Sequence, residues 1–296
     1  MWKKNLVFFS CGLVFSIGSF SQSTKQFFVE DTTIEKINLS LSVDAGDCQI
    51  KSSKQEGLLN IYSNKKNNDF SHDLFKKIID NTYFIKLDVQ CGEAGNLGNT
   101  ISSNLFGSVD NMEINNWQIL LSEKKPYLLS LEYGMGDANI DLSGLSIENM
   151  KIHTGSADIN IGYIDGKFNL VEMDTFYLKV DLGSAKVNNL SNSRASNVIA
   201  DVGIGDLMLD LSDPPKKSSR ITGHVGAGTL TIKLPADNTP IKIVIKDSWL
   251  CSNRIPKSFK ETDDDTYVNS HYMSSTKNSL TFEVDVSMGS LIFLEP

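Results

Sequence analysis

The chain has 296 residues, 40% of them hydrophobic, with 28 Lys and Arg against 36 Asp and Glu, a net charge of −8 and a pI near 5.1. So acidic a chain excludes nucleic acid and anionic lipid surfaces as partners, since both require clustered positive charge. Only three arginines occur, Arg194, Arg220 and Arg254, which argues against bidentate recognition of phosphate or carboxylate.

The N-terminus carries Lys3 and Lys4, an apolar run from Leu6 to about Ile17, then Ser19, Phe20 and Ser21. A basic start, a short apolar stretch and a small-x-small site predict a secretory signal peptide over residues 1–21. The run is too short for a membrane-spanning helix of roughly 20 residues. Phe8, Phe9 and Ser10 make a poor lipobox before Cys11, which also lies close to Lys4. Its removal leaves 26 basic against 36 acidic residues, a net −10. Three cysteines then remain, Cys48, Cys91 and Cys251, allowing at most one internal disulfide.

One pattern recurs from here to the end. Counted from Gly46, Gly136, Gly155, Gly183, Gly205, Gly228 and Gly289, the residue three before is Val43, Tyr133, Ile152, Val180, Val202, Val225 and Val286. Two after stand Cys48, Ala138, Ala157, Ala185, Leu207, Leu230 and Leu291; four after stand Ile50, Ile140, Ile159, Val187, Leu209, Ile232 and Phe293. The residue following each glycine is Asp, Ser or Thr, a type suited to turns. Alternation holds on both sides of the glycine, but the step across it, from minus three to plus two, is odd. The glycine must therefore re-aim the chain, or every later side chain would face the wrong way; positive φ would allow it.

In chain order, Phe27 to Ile61 reads as strands around the first repeat. From Asn64 to Asn81, Ser71 as N-cap with Leu74, Phe75, Ile78 and Ile79 on one face predicts a short helix. Leu87, Val89, Gly92 and Ala94 form a degraded eighth repeat that fails at Asn96, and 95–116 reads as a long surface loop. Between Trp117 and Pro235 the glycines lie 19, 28, 22 and 23 residues apart, while Gly46, Gly92 and Gly136 are separated by 46 and 44, about twice that period. Ile241 to Ile245 is a strong strand, 247–278 a polar excursion with Asp263, Asp264 and Asp265 at a solvated tip, and the last strands run from Leu280 to Val286 and Leu291 to Leu294.

About five buried side chains at roughly 1.5–3 kcal/mol each cannot offset backbone ordering of roughly 1–2 kcal/mol per residue over one repeat. The repeats must share their buried faces. This predicts an all-β, single-stranded β-solenoid with Gly corners and one short helix, forming a single domain over 22–296 with inserts near 64–81, 95–116 and 247–278. The alternative is an antiparallel β-sandwich in which the glycines are hairpin turns.

The segments from Trp117 to Leu121 and Pro126 to Leu131, followed by Tyr133-Gly-Met-Gly136-Asp-Ala-Asn-Ile-Asp141, resemble the toast-rack family. So do Gly226-Ala-Gly228 leading to Leu234-Pro235, Tyr267-Val-Asn269 with Tyr272, and the close from Val286 to Ile292. That family is related to the putative-adhesin β-helix domains and to the C-terminal domain of cell-wall-active antibiotic response proteins. The resemblance covers roughly Phe27 to Pro296 and implies an exported, all-β, non-enzymatic envelope domain with no catalytic residues to carry over.

Chemistry-bearing motifs are few. Asp137, Asn139 and Asp141 with Glu148 imitate a calcium loop, but Leu142 occupies the place of the required glycine, and Ala138, Ile140 and Leu142 alternate as in a strand. With Asp158, Asn160, Asp206 and Asp210 these carboxylates and amides are expected on outward faces, as a solvated surface, a weak cation site or a carbohydrate-contacting face. His72, His153, His224 and His271 lack zinc-ligand spacing, and no Gly-x-Ser-x-Gly elbow occurs. Trp117, Trp249, Tyr267 and Tyr272 would stack on sugar or cover the ends of the stack. No catalytic, cofactor-binding or metal residue is assigned. The reading is an exported non-enzymatic envelope protein, a scaffold or adhesin-like module in the periplasm, on the outer surface or secreted, with envelope proteins or glycans as partners and no integral membrane segment. The alternatives are an envelope-stress or antibiotic-response sensing component and a polysaccharide-acting enzyme built on Asp137 and Asp141.

Overall fold

The computed structural model describes residues 24–30, 33–64, 70–91, 116–236, 238–247, 250–272 and 278–296. The predicted signal peptide, nearly all of the 95–116 loop and Trp249 lie outside the described residues. Among the described residues, twenty strands join in one hydrogen-bonded sheet, and the helix is a single 3-10 turn at Leu190–Ser193. The first seven strands are β1 (Thr24–Val29), β2 (Lys36–Ala45), β3 (Asp47–Ser53), β4 (Leu59–Ser63), β5 (Phe70–Ile79), β6 (Thr82–Cys91) and β7 (Asn116–Ser122). Three long strands follow, β8 (Pro126–Asp141), β9 (Ser146–Gly162) and β10 (Met173–Asn188). The remainder are β11 (Ala195–Val202), β12 (Asp206–Asp210), β13 (Ser219–Val225), β14 (Thr229–Lys233), β15 (Ile241–Asp247), β16 (Ser252–Arg254), β17 (Lys260–Asp263), β18 (Thr266–Val268), β19 (Leu280–Val286) and β20 (Ser290–Leu294).

Two parallel ladders run through this sheet. The first, before the corners, runs β6, β2, β8, β9, β10, β11, β13, β19, β15. The second, after the corners, runs β7, β3, β8, β9, β10, β12, β14, β20, β16. Every repeat-to-repeat pairing is parallel, which overturns the antiparallel sandwich; antiparallel pairs occur where β1, β4, β5, β17 and β18 flank the ladders. Each of β8, β9 and β10 belongs to both ladders and must double back. Ser146, beside Pro126 at the start of β8, follows Asp141 at its end by only five residues, or at most about 18 Å of chain, whereas β8 held straight would span about 50 Å.

Doubling back encloses the apolar side chains between the two arms. In β8, Tyr127, Leu129, Leu131 and Tyr133 are buried before the corner and Ala138 and Ile140 after it, the odd step read from sequence. Parallel register then builds columns. Tyr133, Thr154, Val180, Val202, Val225 and Val286 lie side by side, all buried. Thr154 stands beside Val180 in this column, and its Oγ1 has no hydrogen-bond partner among the described residues. Thr154→Val keeps the shape and removes a buried unpaired hydroxyl, so it is expected to raise the unfolding free energy by about 1 kcal/mol in urea titration.

The corner column corrects two expectations. Register places Gly136 and Gly183 beside Ala157, not Gly155, which stands two residues earlier beside Gly134. In that repeat the corner residue is an alanine whose methyl turns into the core at 3% exposure. Positive φ is also not the common requirement: Gly136 has φ 110, but Gly228 has no left-handed backbone. What they share is close stacking. A Cβ on Gly136 would lie 2.2 Å from the Gly46 carbonyl oxygen, and one on Gly228 would lie 2.0 Å from that of Gly205.

The predicted helix at 64–81 is replaced by β5, an antiparallel hairpin partner of β6. Asp80 and Asn81, with φ of 45 and 60, form the two-residue left-handed turn that matches hairpin twist, so the local turn outweighs the helical spacing of Leu74, Phe75, Ile78 and Ile79. The degraded repeat at Gly92 is half real. Leu87 and Val89 take their register beside Leu41 and Val43, but the positions after the corner are filled by Trp117 and Ile119, beside Cys48 and Ile50.

Stack order departs from chain order at both ends. β6 and β7 lie outside β2 and β3, while β15 and β16 lie outside β19 and β20. Tyr267, Phe259 and Ile255 pack on the core at the second end, as an end-covering role requires. Cys48 and Cys251 lie seven strand spacings or about 34 Å apart along the stack, too far for a disulfide between them. Burial, then the Asp47 charge, pushes the Cys48 thiol up to about 12.

Candidate functional site

The second ladder presents its outward face to a trough of about 960 Å³ that crosses β7, β3, β8, β9, β10, β12 and β14. Alternation decides its lining. Residues two and four after each corner point inward, so those one and three after it point out. The first outward column holds Asn116, Asp47, Asp137, Asp158, Ser184, Asp206 and Thr229; the second holds Gln118, Gln49, Asn139, Asn160, Lys186, Met208 and Thr231, and all of these but Gln118 line the trough.

Of the outward residues expected from sequence, the structure brings Asp137, Asn139, Asp158, Asn160 and Asp206 together here. Asp141 and Asp210 fall one outward position further along their strands, outside the trough lining. Burial pushes the Asp210 carboxyl up, but hydrogen bonds from Ser212 and the Lys233 ammonium, at 3.4 Å, outweigh it and hold it below the usual range. The calcium-loop imitation is a strand: Ala138, Ile140 and Leu142 are buried, and Glu148 pairs instead with Lys36 at 2.6 Å. Among the described residues no group of three His, Cys, Asp or Glu is placed to hold a metal ion. No helix among them is long and apolar enough to cross a membrane.

Gln118, Gln49, Asn116 and Lys186 escaped the reading from sequence. The signal was present, since all follow once the offsets one and three after the corner are read across repeats; Asn116 and Gln118 were hidden because the strand they follow in the stack, β6, ends at Cys91, 25 residues earlier. Side-chain hydrogen bonds order this face along the stack. Gln118 Nε2 donates to Gln49 Oε1 at 3.1 Å, Asn188 Nδ2 to Asn160 Oδ1 at 2.5 Å, and Ser184 donates through both N and Oγ to Asp158 Oδ1 at 3.0 and 2.6 Å.

Asp47 and Asp137 are register neighbours of like charge. Burial first, and then the Asp137 charge, raise the Asp47 carboxyl above its ordinary value of 3.8. A folded-state pKa above the unfolded one means a contribution that is present at low pH and lost as pH rises through the folded value. Asp47→Asn is therefore expected to stabilise the fold at pH 7 and to have no effect at pH 3, measured as the urea midpoint at both pH values.

The outward face of the first ladder differs, since it carries ion pairs between neighbouring strands. His153 Nε2 and Lys179 Nζ lie 2.7 and 2.8 Å from the two Asp181 oxygens, and Arg220 lies 3.5 Å from Glu283. Lys179, and then His153, hold the Asp181 carboxyl below the usual range. Tyr177 donates to Asp201 at 2.7 Å, and burial with this bond pushes its phenol up to about 12. No ion pair among the described residues neutralises Asp47, Asp137, Asp158 or Asp206 in the trough. Along the corner edge between the two faces, Leu182, Ile204 and Met288, each preceding its corner glycine, are exposed by 46%, 69% and 60%.

Residues 17–167 match the N-terminal domain of toast_rack, DUF2154. The chain belongs to the toast-rack family. That match ends between β9 and β10, yet the toast-rack ladder continues across this point, from Thr175 beside Asn149 to Asn188 beside Gly162. No curated protein matches the sequence. In three dimensions the chain is similar to a solved "putative cell adhesion protein" from Clostridium sporogenes, with 19% identity and a TM-score of 0.43 over 93% of this chain and 100% of that one.

Proposed function

We propose that this toast-rack protein is an exported, non-enzymatic component of the cell envelope, one continuous β-solenoid domain from residue 22 onward that acts as a scaffold and adhesin-like binding module. The carrying observation is the trough, an open surface held on seven hydrogen-bonded strands, with acidic and amide side chains set over an apolar floor. Stacked repeats supply extended binding surfaces of this kind, suited to a long partner rather than to enclosing one reacting centre. The ladder fixes its side chains in advance, which lowers the ordering cost of binding. Export is supported by the basic start, the apolar run and the small-residue site ending near Ser21.

The test expresses the full chain with a C-terminal tag, fractionates the cells and sequences the mature N-terminus. The purified protein is then incubated with isolated envelopes. The expected result is a mature chain beginning near Gln22 that sediments with envelopes and releases no soluble sugar. Retention inside the cell with the leader intact, or steady release of reducing sugar, would contradict this reading.

A further inference from the structure

Four adjacent repeats carry the same outward pair, an Asp or Asn in the first outward column and an amide in the second: Asn116 with Gln118, Asp47 with Gln49, Asp137 with Asn139, and Asp158 with Asn160, the last three lining the trough with both members. Within a repeat the two members lie two residues apart on one strand, about 7 Å, and the pair recurs at the strand spacing of about 4.8 Å. The carboxylates accept only, while the amides donate and accept. Each repeat therefore offers a neighbouring pair of hydroxyl groups both an acceptor and a donor, four times in register along the second ladder and three times with both members in the trough.

Such periodicity selects a polymer. An extended peptide lying along the stack rises about 3.3 Å per residue, out of step with columns about 4.8 Å apart. A pyranose ring in an extended chain is close to the strand spacing in length and presents its hydroxyls at each step. The charge narrows the class further. Uncompensated Asp47, Asp137 and Asp158 repel a polyanion, so acidic polysaccharides and nucleic acids are excluded. The exposed Leu182 and Ile204, on the corner edge of the next two repeats, offer apolar contact to the C–H faces of sugar rings that extend past the four pairs.

We infer that the trough binds a linear, uncharged polysaccharide running along the stack, one sugar ring per repeat, with ring hydroxyls shared between the acidic and amide columns. This rests on the binding-module reading and names its ligand class. The Gln118 to Gln49 bond leaves the Gln49 amide nitrogen free to donate outward, and the Asn188 bond does the same for Asn160.

The test measures binding of the mature protein to cellohexaose, maltohexaose and the N-acetylglucosamine hexamer by calorimetry, with shorter oligomers, an oligogalacturonate and hexalysine as comparisons. At least one neutral hexamer is expected to bind, with affinity climbing with length and levelling once about four rings are bound. Gln49→Ala with Asn139→Ala and Asn160→Ala is expected to weaken that affinity about tenfold or more, from three lost hydrogen bonds. Asn149→Ala with Asn197→Ala, on the first ladder's outward face, is expected to leave it unchanged, and thermal melts of both variants verify folding.

Unchanged affinity in the triple variant would overturn the inference, as would tighter binding of hexalysine or of the oligogalacturonate than of every neutral hexamer. Binding to no neutral hexamer by a protein that still sediments with envelopes overturns the inference alone. A protein that does neither overturns the binding-module reading as well.

Discussion

Gly136→Ala is expected to lower the unfolding free energy by about 3–5 kcal/mol, whereas Gly166→Ala costs about 1 kcal/mol. Both glycines have positive φ, 110 and 75, so both substitutions impose backbone strain. They differ in what a methyl would meet. At Gly136 it would lie 2.2 Å from the Gly46 carbonyl oxygen in the neighbouring repeat, while at Gly166 nothing lies within 4 Å. The repeats can relieve the first contact only by separating, which breaks ladder hydrogen bonds. A domain stable by about 5–15 kcal/mol would lose much of its margin. Urea titration of the two variants measures the difference; equal losses would mean that the corners are glycine for conformation alone.

The second large effect lies across the core of one repeat. Phe282 on β19 and Phe293 on β20 are 0% and 2% exposed, and their rings meet edge to face with centroids 5.3 Å apart. Each Phe→Ala substitution is expected to cost about 3–5 kcal/mol, from lost burial and the cavity left behind. The double variant should be less destabilised than the sum by about 0.5–1.5 kcal/mol, the coupling of an aromatic pair. Phe75→Ala, at a side chain 57% exposed on β5, is expected to change stability by less than about 0.5 kcal/mol. Strict additivity of the Phe282 and Phe293 changes would contradict the packing of the two arms against each other.

The contrast between these sites shows what sequence could reveal. The odd step from Tyr133 to Ala138 was legible because parity along a strand is a local property, and so was the outward position of Asp137 and Asn139. Register was harder. Gly155 satisfies the same offsets as the true corners, since Ile152, Ala157 and Ile159 are all buried whichever residue turns the chain. Only the neighbouring strands, which place Ala157 beside Gly136 and Gly183, decide it.

Long-range exchange was illegible for a different reason. Nothing local to Trp117 indicates that it completes a repeat begun at Leu87, or that Ile241 to Ile245 lies outside the strand from Leu280 to Val286, although that segment comes later in the chain. The helix expected over 64–81 failed because hairpin pairing with β6 offers the backbone partners that spacing alone does not count. The trough was half legible. Its residues alternate as expected, but their alignment into columns depends on parallel register, and the exchange at the first end adds Asn116.

The stacking order itself is open to direct measurement. With the native cysteines replaced, nitroxide labels at Asn139 paired in turn with Thr231, Ile292 and Arg254 report distances along the second outward column by pulsed electron resonance. Register sets these positions four, five and six strands from Asn139, so the account predicts about 19, 24 and 29 Å, with Arg254 farther than Ile292 despite its lower number. Distances without this regular increment, or Arg254 closer than Ile292, would contradict it.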